Sequence, residues 1–221
     1  MKKTILIYSG GLDSTTLLYQ LLSQQHELKC LSFNYGQKHL KEIESAKYFC
    51  QKFNLEHKVA DLSYISDLIS SSSLISKNMD VPEGHYQEES MKSTVVPNRN
   101  MIMLSIAIGW AINCKFDNVA YAAHNGDHAI YPDCREEFAK IISLAAQKAD
   151  WHSVNLIRPF IDFSKTKIAH LAGELGVEID KTWSCYKGGE IHCGKCGTCV
   201  ERIEALNNSG THDKTKYANM L

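Results

Sequence analysis

The N-terminal part of the chain alternates between short apolar runs and longer stretches in which apolar residues recur every three or four positions. The short runs predict strands at residues 4–8, 28–35 and 57–62, and the helical spacing predicts helices at residues 13–22 and 38–53. Strands that alternate with helices are typical of a parallel sheet covered on both faces. The pattern therefore predicts a Rossmann-like α/β core.

This alternation is interrupted between residues 63 and 96. A run of serines from Ser70 to Ser73 is followed by Pro82 and Gly84, and no regular spacing of apolar residues is present. Such composition is typical of loops, and long loops in compact domains often have a functional role. We therefore predict an insertion near residues 63–96, which could also be a mobile lid.

The alternation resumes after the insertion. A mainly apolar stretch at residues 101–112 predicts a buried helix, because it is well short of the roughly 20 residues that a membrane-spanning helix needs. Ser164 is the predicted N-cap of the last helix in this part of the chain. The further predicted elements are strands at 118–122 and 154–157 and helices at 136–149 and 164–173.

Length and composition place these elements in one main domain. The chain has 221 residues, 44% of them hydrophobic, which is enough to bury one substantial core. We expect a nucleotide-binding domain at residues 1–180 and a small C-terminal segment at residues 181–221. The formal net charge of -1 provides no bulk positive field, so we expect no stable nucleic-acid partner. No export signal or membrane span is recognisable, which predicts a cytoplasmic protein without a membrane partner.

The turn after the first predicted strand has the sequence Ser9-Gly10-Gly11-Leu12-Asp13-Ser14. Its glycines permit close backbone approach, and the N–H groups that begin the following helix favour an anion. The turn has neither the Gly-Lys-Ser/Thr of a P-loop nor the third glycine of a dinucleotide fingerprint. These features predict a phosphate site that does not serve γ-phosphate transfer or NAD binding.

The same turn resembles the S-G-G-x-D-S loop of the ATP-pyrophosphatase (PP-loop) superfamily, whose members cleave ATP between its α and β phosphates. The resemblance implies an adenine nucleotide alpha hydrolase-like fold and ATP as co-substrate, with Mg²⁺. It implies that Asp13 accompanies the Mg²⁺ or caps the helix. The residues it implies for ATP binding are Tyr8, Ser9, Gly10, Gly11, Leu12, Asp13, Ser14, Thr15, Thr16, Leu17 and Leu18.

Four of the eight cysteines lie within fifteen residues, at Cys185, Cys193, Cys196 and Cys199. Four thiolates in a tetrahedral array are the ligands that structural zinc prefers. With every position filled by protein, the ion has no open site for water, so we predict one structural Zn²⁺ per chain. An iron–sulfur cluster and disulfides are the alternatives. His192, beside the second cysteine, is interpreted as a surface residue.

The cysteine segment also narrows the resemblance from a superfamily to one family. Residues 182–186 and 193–199 resemble the signature of the 7-cyano-7-deazaguanine synthase family, and so do residues 35–39, 96–100 and 131–135, in the same order over nearly the whole chain. The chain departs from the family pattern at Asp213-Lys214-Thr215, where the middle residue is usually a proline; this affects only the conformation expected for the tail.

The resemblance implies a carbon–nitrogen ligase in queuosine precursor biosynthesis, which converts 7-carboxy-7-deazaguanine, ammonia and ATP into the 7-nitrile. It also implies a homodimer. We expect Asp13, Arg99 and Lys165 to be catalytic, the last two by contacting phosphate or carboxylate. His39, His124, His128 and Asp133 fall in loops that could contact the deazapurine. Cys134 is not expected to be a nucleophile, since no histidine can be paired with it.

Three other functions fit part of the sequence. A transfer-RNA thiolase of the same superfamily would need a basic surface and a reactive cysteine, and the net charge of -1 disfavours it. An NAD synthetase-like amidating ligase fits the N-terminal loop but not the cysteine segment. A zinc-module regulator of nucleic acid fits the cysteines but gives the loop no role.

Overall fold

A five-stranded parallel sheet forms the centre of the protein. The computed structural model describes residues 1–38, 40–76, 78–85 and 88–219. The strands are β1 (Lys3–Ile7), β2 (Glu27–Asn34), β3 (Glu56–Asp61), β4 (Asn118–Ala120) and β5 (Asn155–Ile157). Their order in the sheet is β3-β2-β1-β4-β5, with every pair parallel. The predicted Rossmann-like α/β fold is therefore confirmed.

In the described ranges, six α-helices connect and cover the strands. They are α1 (Leu12–Ser23), α2 (Lys41–Lys52), α3 (Arg99–Cys114), α4 (Glu136–Lys148), α5 (Lys165–Glu174) and α6 (Gly197–Ser209). Successive residues of a strand point to opposite faces of its sheet. Ile5 accordingly packs with α3 and α4, whereas Leu6 packs with α1, α2 and α5. Helices thus cover both faces of the sheet.

The sequence pattern predicts all five strands and the first five helices, with ends that differ by a few residues. Ser164 accepts a hydrogen bond from the Lys167 N–H (3.2 Å), which confirms it as the N-cap of α5. Helix α6 was not predicted, because its first turn lies inside the cysteine segment. Its apolar residues Cys199, Ile203 and Leu206 recur at intervals of four and three positions, and this helical spacing is the signal that could have identified it.

The segment at residues 63–96 is anchored to the rest of the molecule at several points. It contains two 3₁₀ helices, Ser63–Ile69 and Glu89–Thr94, and it buries Leu74 and Met91 in the core cluster beneath α3. The Gly84 N–H donates to the Lys195 carbonyl oxygen (3.1 Å), which joins the insertion to the C-terminal segment. Whether it opens as a lid stays a prediction.

The C-terminal segment packs on the main domain through α6. Ala205 and Leu206 of this helix contact Ala169 and Ala172 of α5 in a small apolar cluster. The proposed division at residue 180 stays a prediction. Among the residues that the structure describes, no helix has the length and apolar character needed to cross a membrane.

Candidate functional site

A cavity of about 240 Å³ lies at the carboxyl end of the central strands. The strand order reverses at β1, which pairs with β2 on one side and β4 on the other, and α/β sheets bind their ligands at such a point. The segments after these three strands line one part of the cavity, and residues of α3, α5 and the cysteine segment complete it.

The turn after β1 can form only with glycine at position 10. Gly10 has a φ of +80°, and a Cβ added to it would lie 2.3 Å from the Glu42 carbonyl oxygen and 2.6 Å from the Ala46 nitrogen. Its own carbonyl oxygen accepts hydrogen bonds from the Ser45 hydroxyl (2.8 Å) and the Trp183 N–H (3.0 Å). The turn is therefore clamped between α2 and the C-terminal segment.

Helix α1 begins at this turn with its N-terminus facing the cavity. Gly11 is the N-cap and no side chain caps the helix, so the first N–H groups keep their capacity to bind an anion. The Ser9 and Ser14 hydroxyls lie 3.0 Å apart and supply further donors. The loop residues that line the cavity are Tyr8, Ser9, Gly11, Leu12, Asp13 and Ser14.

Four other residues expected at the ATP site are fully buried behind the loop. The Thr15 hydroxyl is within 3.1 Å of the Tyr8 hydroxyl, and the Thr16 hydroxyl donates to the Leu12 carbonyl oxygen at 2.8 Å. Leu17 and Leu18 pack in the core under β1. These residues support the loop from within rather than line the cavity.

An ion pair joins α1 to α5 beside the loop. The Lys165 ammonium group lies 2.6 Å from Asp13 Oδ2. Burial opposes ionisation of Asp13, but the charges of Lys165 and His124 outweigh it and lower the pKa of the carboxyl. Burial likewise disfavours charged Lys165, yet Asp13 and Glu201 raise its pKa above the ordinary value. Both groups are therefore ionised at neutral pH, and Asp13 does not cap the helix.

A third charge of this cluster, Glu201, was missed by the sequence analysis. It lies in the second turn of α6, its Oε2 is 3.5 Å from Lys165 Nζ, and its side chain is only 14% exposed. Burial raises the pKa of its carboxyl, and the nearby charges of Asp127 and Asp13 add to the effect of burial. No sequence motif indicates a carboxylate two residues after a metal-ligand cysteine.

His124 is held between two carboxylates. Its side chain is 2% exposed, and Nε2 lies 3.7 Å from Asp13 Oδ2 and 3.6 Å from Asp127 Oδ2. The Gly126 N–H donates to Nδ1 (3.1 Å), so Nδ1 is the acceptor nitrogen and Nε2 is the nitrogen directed at the carboxylates. His124 thus lies in the cavity, as expected of a candidate substrate contact.

Arg99 lies in another part of the cavity, among aromatic rings. Its guanidinium carbon is 6.0 Å from the ring centre of Tyr35 and 5.7 Å from that of Tyr131, and Tyr186 is a third neighbour. Within the described ranges, no carboxylate lies at ion-pair distance from Arg99. Burial raises the pKa of Tyr35 to about 12 even though Arg99 opposes this, so the phenol stays neutral. Arg99 is therefore a cation available to an anionic ligand.

Of the remaining candidate site residues in the described ranges, only Cys134 lines the cavity. Asp133 accepts a hydrogen bond from the Asn100 N–H (3.1 Å) at the start of α3, and neither it nor His128 lines the cavity. His39 lies outside the described residues. Cys134 does line the cavity, but burial raises the pKa of its thiol well above the ordinary value, and its sulfur accepts a hydrogen bond from Asn100 (3.2 Å). A protonated thiol is a poor nucleophile.

The four clustered cysteines converge on one point. Their sulfur atoms all lie within 4.8 Å of one another, and those of Cys193 and Cys199 are 3.9 Å apart. Four sulfurs bound to one zinc ion at ~2.3 Å would be separated by ~3.8 Å, so the set fits a tetrahedral ion. The cluster can hold a metal. Cys30 and Cys50 are instead buried beside each other in the core, away from this cluster.

A buried arginine anchors this cysteine segment. Arg202 is fully buried and donates through all three nitrogens to the Ile179 carbonyl oxygen and to the hydroxyls of Thr182, Ser184, Thr215 and Tyr217, at 2.7 to 3.2 Å. All five of its donors are thus used. Its partners come from both sides of the cluster, so one side chain ties the whole segment together.

The interpretation of His192 as a surface residue is wrong. The residue is 4% exposed, with its ring 4.4 Å from that of Trp183 and 5.6 Å from that of Tyr217. Its Nε2 accepts a hydrogen bond from the Ser184 N–H (3.1 Å). The burial comes from residues nine positions before it and twenty-five after it, which local sequence context could not indicate.

The cysteine segment forms a wall of the cavity. Trp183, Ser184 and Tyr186 flank the first cysteine, Thr198 and Glu201 flank the last, and all five line the cavity. The four clustered cysteines lie behind them and do not line the cavity. The arrangement of the four cysteines therefore fixes the positions of the cavity residues beside them.

Comparison with known proteins agrees with this description. A family model described as queuosine biosynthesis protein QueC matches residues 3–210. A 7-cyano-7-deazaguanine synthase of Hahella chejuensis is 48% identical over 97% of this chain and 93% of its own length. The enzyme of the same name in Methanoregula boonei is 51% identical over 97% of this chain and 99% of its own.

A solved structure shares the fold. It is described as a predicted subunit of tRNA methyltransferase from Methanocaldococcus jannaschii, and it aligns with a TM-score of 0.51 over 79% of this chain and 75% of its own, at 15% identity. At that identity the likeness concerns the fold alone.

Proposed function

The chain belongs to the family of queuosine biosynthesis proteins QueC, and from that premise we propose that it is a 7-cyano-7-deazaguanine synthase. The proposed reaction joins ammonia to 7-carboxy-7-deazaguanine at the expense of ATP and yields the nitrile. The observation that carries the proposal is the cavity itself, which combines an uncapped helix N-terminus with Arg99, a cation that has no carboxylate at ion-pair distance in the part of the chain that the structure describes.

The reaction needs the carboxylate to be activated twice. A carboxylate is a poor electrophile, so it first attacks the α phosphorus of ATP, and pyrophosphate leaves from an acyl adenylate. Ammonia then adds to the acyl carbon and AMP leaves, which gives the amide. A second adenylation, on the amide oxygen, makes that oxygen a leaving group as AMP, and loss of the remaining N–H protons produces the nitrile.

Two regions of the cavity suit the two anionic reactants. We assign the pyrophosphate of ATP to the loop at residues 9–14, where backbone N–H groups and the Ser9 and Ser14 hydroxyls can donate to it. Lys165 lies beside this loop and would stabilise the charge that develops as pyrophosphate leaves. Arg99 would hold the substrate carboxylate, since guanidinium pairs with carboxylate through two parallel hydrogen bonds.

The tyrosines around Arg99 suit a flat heterocycle. Tyr35, Tyr131 and Tyr186 present ring faces and hydroxyls to the same part of the cavity, and aromatic rings stack on purine-like bases. A cation and stacking rings together match a planar base that carries a carboxylate. Such a walled site also keeps water away from a reactive adenylate.

We further propose that the clustered cysteines hold structural zinc and that Mg²⁺ accompanies ATP. Because four sulfurs leave no position open, zinc would supply no chemistry and would fix the cavity wall instead. For Mg²⁺, Asp13 Oδ1 is a buried carboxylate oxygen that has no hydrogen-bond partner among the described residues, which makes it a suitable ligand. Bound there, Mg²⁺ would neutralise phosphate charge.

The assembly proposed is a cytoplasmic homodimer without a stable nucleic-acid partner. The cytoplasm supplies the ATP, and the family resemblance supplies the dimer. Ile141 and Leu144 of α4 are about two-thirds exposed, which suits an interface. Light scattering should give twice the chain mass, and a monomer at working concentration would contradict the dimer.

The test of function is incubation with ATP, Mg²⁺, ammonium and 7-carboxy-7-deazaguanine, with products followed by mass spectrometry. We expect the nitrile and AMP. Arg99→Met should abolish binding of the acid, whereas Arg135→Met, at an exposed arginine that bonds the His128 carbonyl oxygen, should not. Nucleotide turnover without any nitrile would overturn the proposal.

A further inference from the structure

A residue of the insertion contacts the part of the cavity around Arg99 from behind. No described residue of the insertion at residues 63–96 lines the cavity itself. Thr94 is only 1% exposed, and its Oγ1 lies 2.6 Å from the hydroxyl oxygen of Tyr131, which does line the cavity. The insertion thus reaches the site through a buried hydrogen bond between two hydroxyl groups.

The direction of this hydrogen bond follows from the number of protons available. The Thr94 hydroxyl has one proton, and it donates that proton to the Met91 carbonyl oxygen (2.7 Å). No proton of Thr94 then remains for Tyr131. The Tyr131 hydroxyl is therefore the donor and Thr94 Oγ1 the acceptor, which directs the Tyr131 proton towards the insertion.

The Tyr131 oxygen can then only accept hydrogen bonds from its other neighbours, because a phenol has a single proton. Tyr186 shares a hydrogen bond with Tyr131. Tyr186 must accordingly be the donor, so its own oxygen also keeps only acceptor capacity. The part of the cavity around Arg99 therefore combines a cation with phenol oxygens that act as acceptors.

The backbone beside Tyr131 is fixed independently of Thr94. The Asn100 N–H donates to Asp133 Oδ2 (3.1 Å), and the Asn100 side-chain amide donates to the Asp133 carbonyl oxygen (3.3 Å). These bonds join the turn that follows Tyr131 to the first turn of α3, which begins at Arg99. The Tyr131 ring is thus held beside Arg99, and Thr94 adds the direction of the hydroxyl proton.

We propose that Thr94 is a positioning residue, which fixes Tyr131 as a hydrogen-bond acceptor for the N–H groups of a flat heterocyclic acid. This inference rests on the proposed function and specifies how the base is recognised. An acid bound to Arg99 through its carboxylate would have its ring beside Tyr131, where ring N–H or amino groups can donate to the phenol oxygen. A ligand without such groups leaves a buried acceptor unpaired, which lowers its affinity.

Thr94→Val tests this role, since it removes the acceptor of the Tyr131 proton with little change of shape. The phenol can then turn its proton into the cavity. We expect the Kd of 7-carboxy-7-deazaguanine to rise about tenfold, as for loss of one hydrogen bond. Calorimetry in the presence of α,β-methylene-ATP, whose α–β bridge cannot be cleaved, measures it. Thr94→Ser keeps the hydroxyl and should restore the affinity.

Two comparisons separate this role from a general loss of packing. Benzofuran-3-carboxylate, a flat acid without N–H groups, should bind to Thr94→Val no more weakly than to the unaltered protein. The double variant Thr94→Val/Tyr131→Phe should bind 7-carboxy-7-deazaguanine no more weakly than Tyr131→Phe alone, because Thr94 acts through the Tyr131 hydroxyl.

Thr4→Val is the matched control. Thr4 is fully buried near the start of β1, at the other end of the strand from the cavity, and its hydroxyl is bonded to His26 Nδ1 (2.9 Å). This variant should lose comparable stability in a denaturant titration without a change in the Kd of the acid.

Additive losses in the double variant, equal weakening of both acids by Thr94→Val, or no rescue by Thr94→Ser would each overturn the inference. If Thr94→Val folds poorly, Tyr131→Phe carries the test, since it must weaken binding of 7-carboxy-7-deazaguanine and leave that of benzofuran-3-carboxylate unchanged. An unaltered protein that binds the ATP analogue but not 7-carboxy-7-deazaguanine would instead overturn the proposed function.

Discussion

The loop at residues 9–14 and the cysteine segment at residues 183–201 face each other across the cavity, but different interactions hold them. The loop is positioned by backbone conformation, since Gly10 fits where no side chain can and its carbonyl oxygen is clamped by Ser45 and Trp183. The cysteine segment contains little regular structure before α6 and is positioned by its four thiols and by Arg202.

This difference matters because a wall held by side chains can be released without unfolding the core. The sheet and the helices on both its faces form apolar clusters that include few residues of the cysteine segment other than the cysteines themselves. The four clustered cysteines and Arg202 therefore position a part of the site that the rest of the core does not position. Perturbing either region should affect activity, but only the loop should do so without loss of metal.

The largest expected effect comes from removing a metal ligand. Cys196→Ser should lose the metal, and because Tyr186, Thr198 and Glu201 depend on the cluster for their positions, activity should fall at least about a hundredfold. Metal analysis and the nitrile assay on the same sample measure both. Cys114→Ser, at a half-buried cysteine outside the cluster, should keep the metal. A metal-free Cys196→Ser that remained active would show that the two walls do not depend on each other.

Gly10→Ala should have the second-largest effect and should not release the metal. The new Cβ would overlap the backbone of α2, and the left-handed φ adds strain, so we expect a loss of about 3 kcal/mol and no measurable ATP binding. Gly176→Ala is the matched control, since Gly176 has a φ of +67° with open space around it. It should cost only about 1 kcal/mol. Denaturant titration and ATP binding distinguish the two variants.

Arg202→Lys should weaken the cysteine segment less than loss of the metal. Lysine has three donors where arginine has five, so at least two buried oxygens lose a hydrogen bond, at a cost of about 2 to 3 kcal/mol in total. The variant should release metal to a chelator faster than the unaltered protein, as followed with a coloured indicator. An unchanged release rate would show that the thiols alone hold the segment.

The smallest effect is one of pH, through the ion pair of Asp13 and Lys165. Because the pKa of folded Asp13 lies below its ordinary value of 3.8, the pair stabilises the fold fully above that pH. Its contribution is lost as the pH falls through the lower, folded pKa. The stability difference between the protein and Asp13→Asn should thus be constant from pH 5 to pH 8 and shrink below about pH 4. Thermal melts across this range measure it; a difference that is flat throughout would show that Asp13 gains no stability from Lys165.

The loop could be predicted from the sequence more completely than the cysteine segment, because local patterns specify the loop. Strands, helices and the glycine turn are local features with their own spacing, so β1, the turn and α1 could be recognised from twenty consecutive residues. The cysteines could be recognised too, because metal ligands have a characteristic spacing. Glu201, Arg202 and His192 could not, since their burial depends on partners far along the chain that no local pattern specifies.

Arg99 and Lys165 could be predicted from the sequence only in part. The sequence places both in loops or at helix starts near the sheet, and family resemblance suggests anionic ligands for them. Only the fold shows that Lys165 is already paired with Asp13 whereas Arg99 has aromatic neighbours and no carboxylate among the described residues. A charge can be found by sequence analysis, but its partner cannot.

The hydrogen bond from the Trp183 N–H to the Gly10 carbonyl oxygen has a consequence for biosynthesis of the protein. Trp183 follows Gly10 by 173 positions in the sequence (183 − 10), so translation produces the phosphate loop long before the residue that holds it. The turn at Gly10 therefore acquires this clamp only after the start of the cysteine segment has been translated.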